Sequence, residues 1–251
     1  MNKTPTFTLL ISFLCFSLYA GDGIPEPMLF DLVRPLDSKK GELEVNTLVH
    51  KSYEAKNTNH SIDPFGSGST TSDKRKIEWS PEIEYAIDDG FALEFELPIE
   101  GSQIEAYKFG AQYTFGKVND FYIHGIQVLL EPNKNFEKYN TTVLYLGGYR
   151  FNEIFSSLFM LGGRMDIEGS NKENSFEYLA NGSLFAQFNH TLTLGLETNY
   201  SLHENGNYAL TLVPQVHYNI NKDFEFQAGL SFGNSSFARE KAFVFRGIYA
   251  F

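Results

Sequence analysis

From about Gly41 to the end of the chain, apolar and polar residues alternate at period two, and no stretch carries the 3.6-residue stripe of an amphipathic helix. In Phe91–Ile99, Phe91, Leu93, Phe95, Leu97 and Ile99 share one face, and Ala92, Glu94, Glu96 and Pro98 share the other. Lys76–Ile87 sets Ile77, Trp79, Ile83, Tyr85 and Ile87 against Glu78, Glu82 and Glu84. The last segment sets Phe243, Phe245, Tyr249 and Phe251 against Val244, Arg246, Ile248 and Ala250. The pattern predicts about twelve strands, at roughly 41–52, 76–87, 91–99, 104–115, 121–130, 140–151, 155–167, 175–188, 191–201, 208–220, 224–233 and 241–251. Most have the length that a tilted strand needs to cross a bilayer.

The connections between these strands alternate in length. Asp88-Asp89-Gly90, Gly116–Asp120, Asn152-Glu153-Ile154, Asn189-His190 and Asn221-Lys222-Asp223 are short and made of turn residues. Tyr53–Arg75, Glu131–Tyr139, Glu168–Asn174, Leu202–Asn207 and Asn234–Glu240 are longer and polar, and only Glu100–Gln103 breaks the series. Short turns at one end and longer loops at the other predict an all-β fold, an up-and-down antiparallel transmembrane β-barrel with periplasmic turns and extracellular loops. An even strand count places both ends of the barrel on the short-turn side. Aromatics recur beside those turns: Tyr85, Phe91, Phe115, Phe121, Phe151, Phe155, Phe188, Tyr218, Phe224 and Phe251. Strand propensity alone favours aromatics but does not place them at one level. A membrane girdle does. The soluble rival, a β-sandwich or lipocalin-like barrel, buries its apolar face inside. It has no use for large aromatics on one face of every strand. Pro81, Pro98 and Pro214 fall on strands; Pro98 is near an end, and bulges are expected at Pro81 and Pro214.

Composition fits that picture and narrows the function. Aromatics make up 16 % of the 251 residues while 20 % are charged, as a two-faced wall requires. The formal net charge of −11 argues against nucleic acid as a partner, because binding phosphates needs a basic face. Lys3 followed by the apolar Phe7–Tyr19 and by Ala20 reads as an export signal over 1–20. The only cysteine, Cys15, lies inside it, so the exported chain has no disulfide; bulky Leu14 speaks against lipidation of Cys15. Residues 21–40, interrupted by Pro25, Pro27 and Pro35, form either a periplasmic tail or a plug ahead of a barrel at 41–251.

The C-terminal Phe243, Phe245, Tyr249 and Phe251 resemble the assembly signal of Gram-negative outer-membrane barrels, although Gly247 interrupts the series. That implies the barrel-assembly machinery and outer-membrane lipid as partners. Trp79–Pro98 (WSPEIEYAIDDGFALEFELP) with Gln112–Gly116 (QYTFG) resembles barrels grouped under the MetA pathway of phenol degradation. The resemblance covers about a quarter of the chain and implies a transporter role without identifying a solute.

If the aromatic face meets lipid, the other face lines the lumen. It carries Glu42, Glu44, Glu82, Glu84, Glu94 and Glu96 on three neighbouring strands, with Lys108, Arg150, Arg164, Glu197, His217 and Arg246 on others. One expectation is a pore with an acidic and a basic wall, passing small solutes. The second is a filled barrel whose charges pair across the lumen and whose outer loops bind something. The third, a membrane-embedded hydrolase or lipid-modifying enzyme, has little support. The Glu pairs at i, i+2 recur on three strands as a lining would, and no nucleophile motif is present. The histidines show no metal-ligand spacing, so neither a catalytic residue, a metal nor another cofactor is expected.

Overall fold

The strands are β1 (Leu43–Lys56), β2 (Glu78–Asp88), β3 (Phe91–Glu96), β4 (Ile99–Glu100), β5 (Gln103–Ile104), β6 (Lys108–Lys117), β7 (Tyr122–Pro132), β8 (Tyr139–Arg150), β9 (Phe155–Glu168), β10 (Phe176–Gln187), β11 (Leu192–His203), β12 (Tyr208–Asn219), β13 (Phe224–Ser235) and β14 (Arg239–Ala250). The computed structural model of the protein describes residues 23–30, 32–56, 77–168, 175–236 and 239–251. The expected export segment and most of the Tyr53–Arg75 connection lie outside these residues.

Each strand pairs antiparallel with its neighbours, and β1 pairs with β14 from Glu44↔Ala250 to Lys56↔Arg239, which closes the barrel. β3 and β4 are two parts of one wall strand broken at Leu97-Pro98; β5 and β6 are two parts of the next, so the closed wall has twelve strands. Closure satisfies the backbone without a free edge, the condition for a β-structure in lipid.

Four of the five short turns share one device. The Oδ1 of Asn119, Asn152, Asn189 or Asn221 accepts from the backbone N–H groups two and three residues on, at 2.8–2.9 Å. The asparagine side chain thus makes the turn before the next strand begins. The fifth turn uses Gly90, which adopts φ 73°.

The expected bulges at Pro81 and Pro214 are absent. Pro81 pairs in register with Thr47, and Pro214 with Leu196. On its other side Pro81 meets Leu97, where the wall strand is broken, and Pro214 falls where the β12–β13 ladder skips from Leu212↔Phe232 to Gln215↔Gly229. The missing donors therefore coincide with local breaks in pairing, and no extra residue is needed. Register shifts occur instead at Ser52/Glu54, Ala86/Asp88, Thr114/Gly116 and Tyr139/Asn140.

The outside of the wall is apolar over its whole height, with Trp79, Ile83, Leu93, Phe109, Val128, Leu161, Leu196, Leu212 and Phe245 all exposed. Tyr85, Phe115, Phe121, Phe151, Phe155, Phe188, Tyr218 and Phe251 are exposed on the same face toward the short turns, and Phe91 and Phe224 are half-buried there. An apolar belt of this extent is a lipid-facing surface.

Candidate functional site

The lumen is not filled by the wall alone. Residues 23–30 enter through the short-turn end and reach the middle of the barrel at Met28–Phe30, and residues 32–38 return toward β1. Gly23 lies at Arg150, whose Nη2 donates to the Gly23 carbonyl at 2.7 Å. Lys40, at the other end, donates its N–H to Asp89 Oδ1 in the first short turn at 2.9 Å. Between them Met28, Leu29, Leu32, Val33, Arg34 and Leu36 are buried.

Two kinds of contact seat this segment. The first is apolar. Leu32 and Leu36 pack with Ile123, Leu144, Leu146, Leu158, Met160, Leu179 and Phe185 on the inner faces of β7–β10, while Met28 and Leu29 pack with Leu48, Val213 and Val244. Three wall glycines make room: a Cβ on Gly110 would stand 2.6 Å from Val33 Cγ2, one on Gly148 2.6 Å from Ile24 Cδ1, and one on Gly229 3.0 Å from Met28 Sδ. The second is polar and addresses the backbone. Glu197 Oε2 accepts from the N–H of Met28 at 2.8 Å and of Leu29 at 3.0 Å, and its Oε1 accepts from that of Phe30 at 2.7 Å. Gln127 Oε1 accepts from Val33 N–H at 3.0 Å. Gln112 accepts from Arg34 N–H at 3.4 Å and donates to the Arg34 carbonyl at 2.7 Å.

The acidic residues of β1–β3 face inward and gather around two guanidinium groups. Arg34, on the segment, lies 2.7 Å from Glu44, 3.1 Å from Glu42 and 3.6 Å from Glu84. Arg246, on β14, lies 3.3 Å from Glu26, 3.4 Å from Glu84 and 3.8 Å from Glu82, and donates to the Pro27 carbonyl at 3.3 Å. Lys108 pairs with Glu96 and, at 3.5 Å, with Glu94. Arg164 meets Glu177 at 3.4 Å, and His217 meets Glu225 at 3.2 Å. The expected separation into an acidic and a basic wall is therefore not found. Closure puts β14 beside β1, and β6 lies beside β3, so Arg246 and Lys108 stand among the carboxylates. Burial of like charges this close demands interleaved cations.

Glu26, Glu44 and Glu84 are the one group among the described residues with carboxylate oxygens close enough to share a metal ion. Arg34 and Arg246 lie in the same space and balance their charge. Burial, and next the neighbouring Glu44, push the Glu26 carboxyl up to about 8, against the smaller opposing pull of Arg246 and Arg34.

On the outer side of the Met28–Phe30 tip lies a small cavity of about 50 Å3 lined by Glu82, Glu96, Lys108, Glu131, Thr142, Arg164 and Arg246. On the short-turn side a second small cavity, of about 30 Å3, lies between Leu32 and Leu36 on one side and Arg150 and Tyr122 on the other. Unfilled space thus flanks the segment on both sides.

The alternation does not reveal the apolar inner patch of β8 and β9. A signal for it exists: Val143–Leu146 (VLYL) and Leu158–Leu161 (LFML) are apolar on both faces, as strands covered on both sides are.

A family model described as HAEPLYID-like matches residues 24–249, which takes in the luminal segment as well as the wall. The chain belongs to the HAEPLYID-like family. That match, rather than the phenol-degradation grouping, defines its kin. No curated protein matches this HAEPLYID-like chain in sequence. Among solved structures it is similar to a KdgM porin (15 % identity, 83 % of this chain and 99 % of that one, TM-score 0.61). It is also similar to a NanC porin (9 % identity, 82 % and 98 %, TM-score 0.62). The COG4313 outer membrane channel from Pseudomonas putida F1 is a third (12 % identity, 85 % and 96 %, TM-score 0.58). At these identities the likeness is one of fold.

Proposed function

We propose that this HAEPLYID-like protein is an outer-membrane channel for small solutes, exported through its N-terminal signal and held shut by residues 23–38. The observation that carries the reading is the separateness of the filler. A barrel meant to be solid is filled by its wall side chains, whereas here a separate re-entrant segment fills the lumen and small cavities remain on both sides of it. The apolar inner patch of β8 and β9 would face water without Leu32 and Leu36, which gives the closed form its driving force.

The fold shared with porin and channel barrels supports this reading. One KdgM porin structure is a complex with disordered oligogalacturonate, a polyanion. Solutes of that charge suit this lumen poorly, because Glu42, Glu44, Glu82, Glu84, Glu94 and Glu96 outnumber the cations among them. No step of bond-making is assigned to any residue.

A filled structural barrel is the competing reading, favoured by the ion pairs around Arg246. Planar-bilayer recording separates the two. The full-length protein is expected to be nearly silent, and variants that unseat residues 23–38 are expected to conduct with a preference for cations. Silence of every folded unseating variant, at any salt concentration, would sink the channel.

A further inference from the structure

We infer that the lumen is a receptor for an arginine-bearing peptide, and that residues 23–38 occupy it as a built-in ligand. The inference rests on the channel reading and names the solute class of that channel. It follows from which atoms of the segment the wall holds. Glu197 binds three consecutive backbone amides, Gln127 binds the Val33 amide, and Gln112 binds both polar groups of the Arg34 backbone. None of these six contacts uses a side chain of the segment, so any peptide that can follow the same bent path would satisfy them. At Arg34, Gln112 reproduces with its amide the paired bonds that a neighbouring strand would make, a way to obtain affinity without regard to sequence.

Selection by side chain is concentrated at Arg34. Its guanidinium sits among Glu42, Glu44 and Glu84, on a face where the neighbouring wall supplies Arg246 as the other cation. The seat is not saturated. Glu44 Oε1 and Glu84 Oε2 are buried with no hydrogen-bond partner, and so is Arg34 Nε. A guanidinium has a planar fork of donors that suits paired carboxylates, and Arg34 leaves its Nε donor out of that fork. The same seat opposes neutral and anionic competitors, which would leave the buried Glu44 without the guanidinium it faces and Glu84 with Arg246 alone.

The test uses full-length protein in planar bilayers. Arg34→Gln is expected to open the channel by weakening the built-in ligand, and Glu197→Gln provides a second opened form that leaves the acidic seat intact. A synthetic peptide of sequence 24–36 is then added. Block of both variants is expected, with the citrulline version of the peptide weaker by about tenfold or more, the loss of one charge-assisted contact. Free argininamide is expected to block far less than the peptide. Equal block by the citrulline peptide would overturn the arginine seat, and equal block by argininamide would overturn backbone reading. Open channels that no peptide blocks would overturn the inference while leaving the channel standing. Folded variants that never open remove both.

Discussion

Glu197 and Met28 are 169 residues apart in sequence, yet the buried carboxylate of the first accepts the backbone amide of the second at 2.8 Å. Leu29 and Phe30 add their amides to the same carboxylate, and Asn199 Nδ2 donates to it at 2.8 Å. An anion receiving successive amides of one chain is a strong anchor, because every partner left unsatisfied in the interior costs about 1–3 kcal/mol. Glu197→Ala is therefore expected to unseat the tip at Met28–Phe30 with the wall intact. Single-channel recording checks the first half, and unchanged far-UV dichroism of the folded barrel checks the second.

Arg246 has a different role, because it balances three carboxylates of which Glu84 is fully buried. Removing one partner of such a group strands the others and typically costs about 3–5 kcal/mol. Arg246→Leu is expected to lower the temperature at which the barrel loses its compact gel mobility, by more than Arg164→Leu does. Equal shifts for the two would show that the cluster carries no special strain.

Seating of the segment is expected to depend on pH through Glu26. Its carboxyl is raised from the ordinary 4.5 to about 8 when seated, and it faces Glu44 on β1, Glu84 on β2, Glu225 on β13, Arg246 on β14 and Arg34. In a withdrawn segment the same carboxyl lies in water at its ordinary value. A raised value in the seated form means that seating is fully favoured below about 4.5 and weakens as pH climbs to about 8. Open probability should rise across that window and level off above it. Glu26→Gln should flatten the profile; a profile unchanged in that variant would assign the titration elsewhere.

The contact between Gly110 and Val33 offers a test of packing. A methyl group at Gly110 would meet Val33 Cγ2 at 2.6 Å and Glu94 Oε2 at 2.9 Å. Gly110→Ala is expected to loosen the segment, and adding Val33→Ala to restore closure in part. A double-mutant cycle on open probability measures the coupling, expected at about 0.5–3 kcal/mol for residues in contact.

Phe251 donates its backbone N–H to the Leu43 carbonyl at 2.9 Å and presents its ring, 74 % exposed, to lipid. Deleting it removes the last bond between the two ends of the wall and the terminal aromatic of the series that resembles an assembly signal. Less heat-modifiable barrel in the outer membrane is the expected result, read on a gel; an undiminished yield would separate this residue from assembly.

The wall was legible because its physics is local. Alternation gives the strand, Asn119, Asn152, Asn189 and Asn221 give the turns, and Tyr85 to Phe251 give the level of the belt. The luminal segment obeys no such period. Pro25, Pro27 and Pro35 rule out both regular periods, and its position depends on side chains such as Glu197 and Gln112 that lie far along the chain. The pairing of charges was hidden for a similar reason. Arg246 and Glu84 become neighbours only when β14 closes on β1, a contact that no local window contains. Glu197, Arg150 and Arg246, charges on inner faces whose flanking inward positions are neutral, were residues whose charge asked for a partner from elsewhere.

Gly41 joins the luminal segment directly to the wall, and Lys40 is pinned to the first short turn. A ligand held on so short a leash rebinds as a unimolecular event, at an effective concentration on the order of millimolar. A free solute must therefore reach comparable levels at the mouth to keep the lumen, and once it is diluted the passage closes again with no external source of energy.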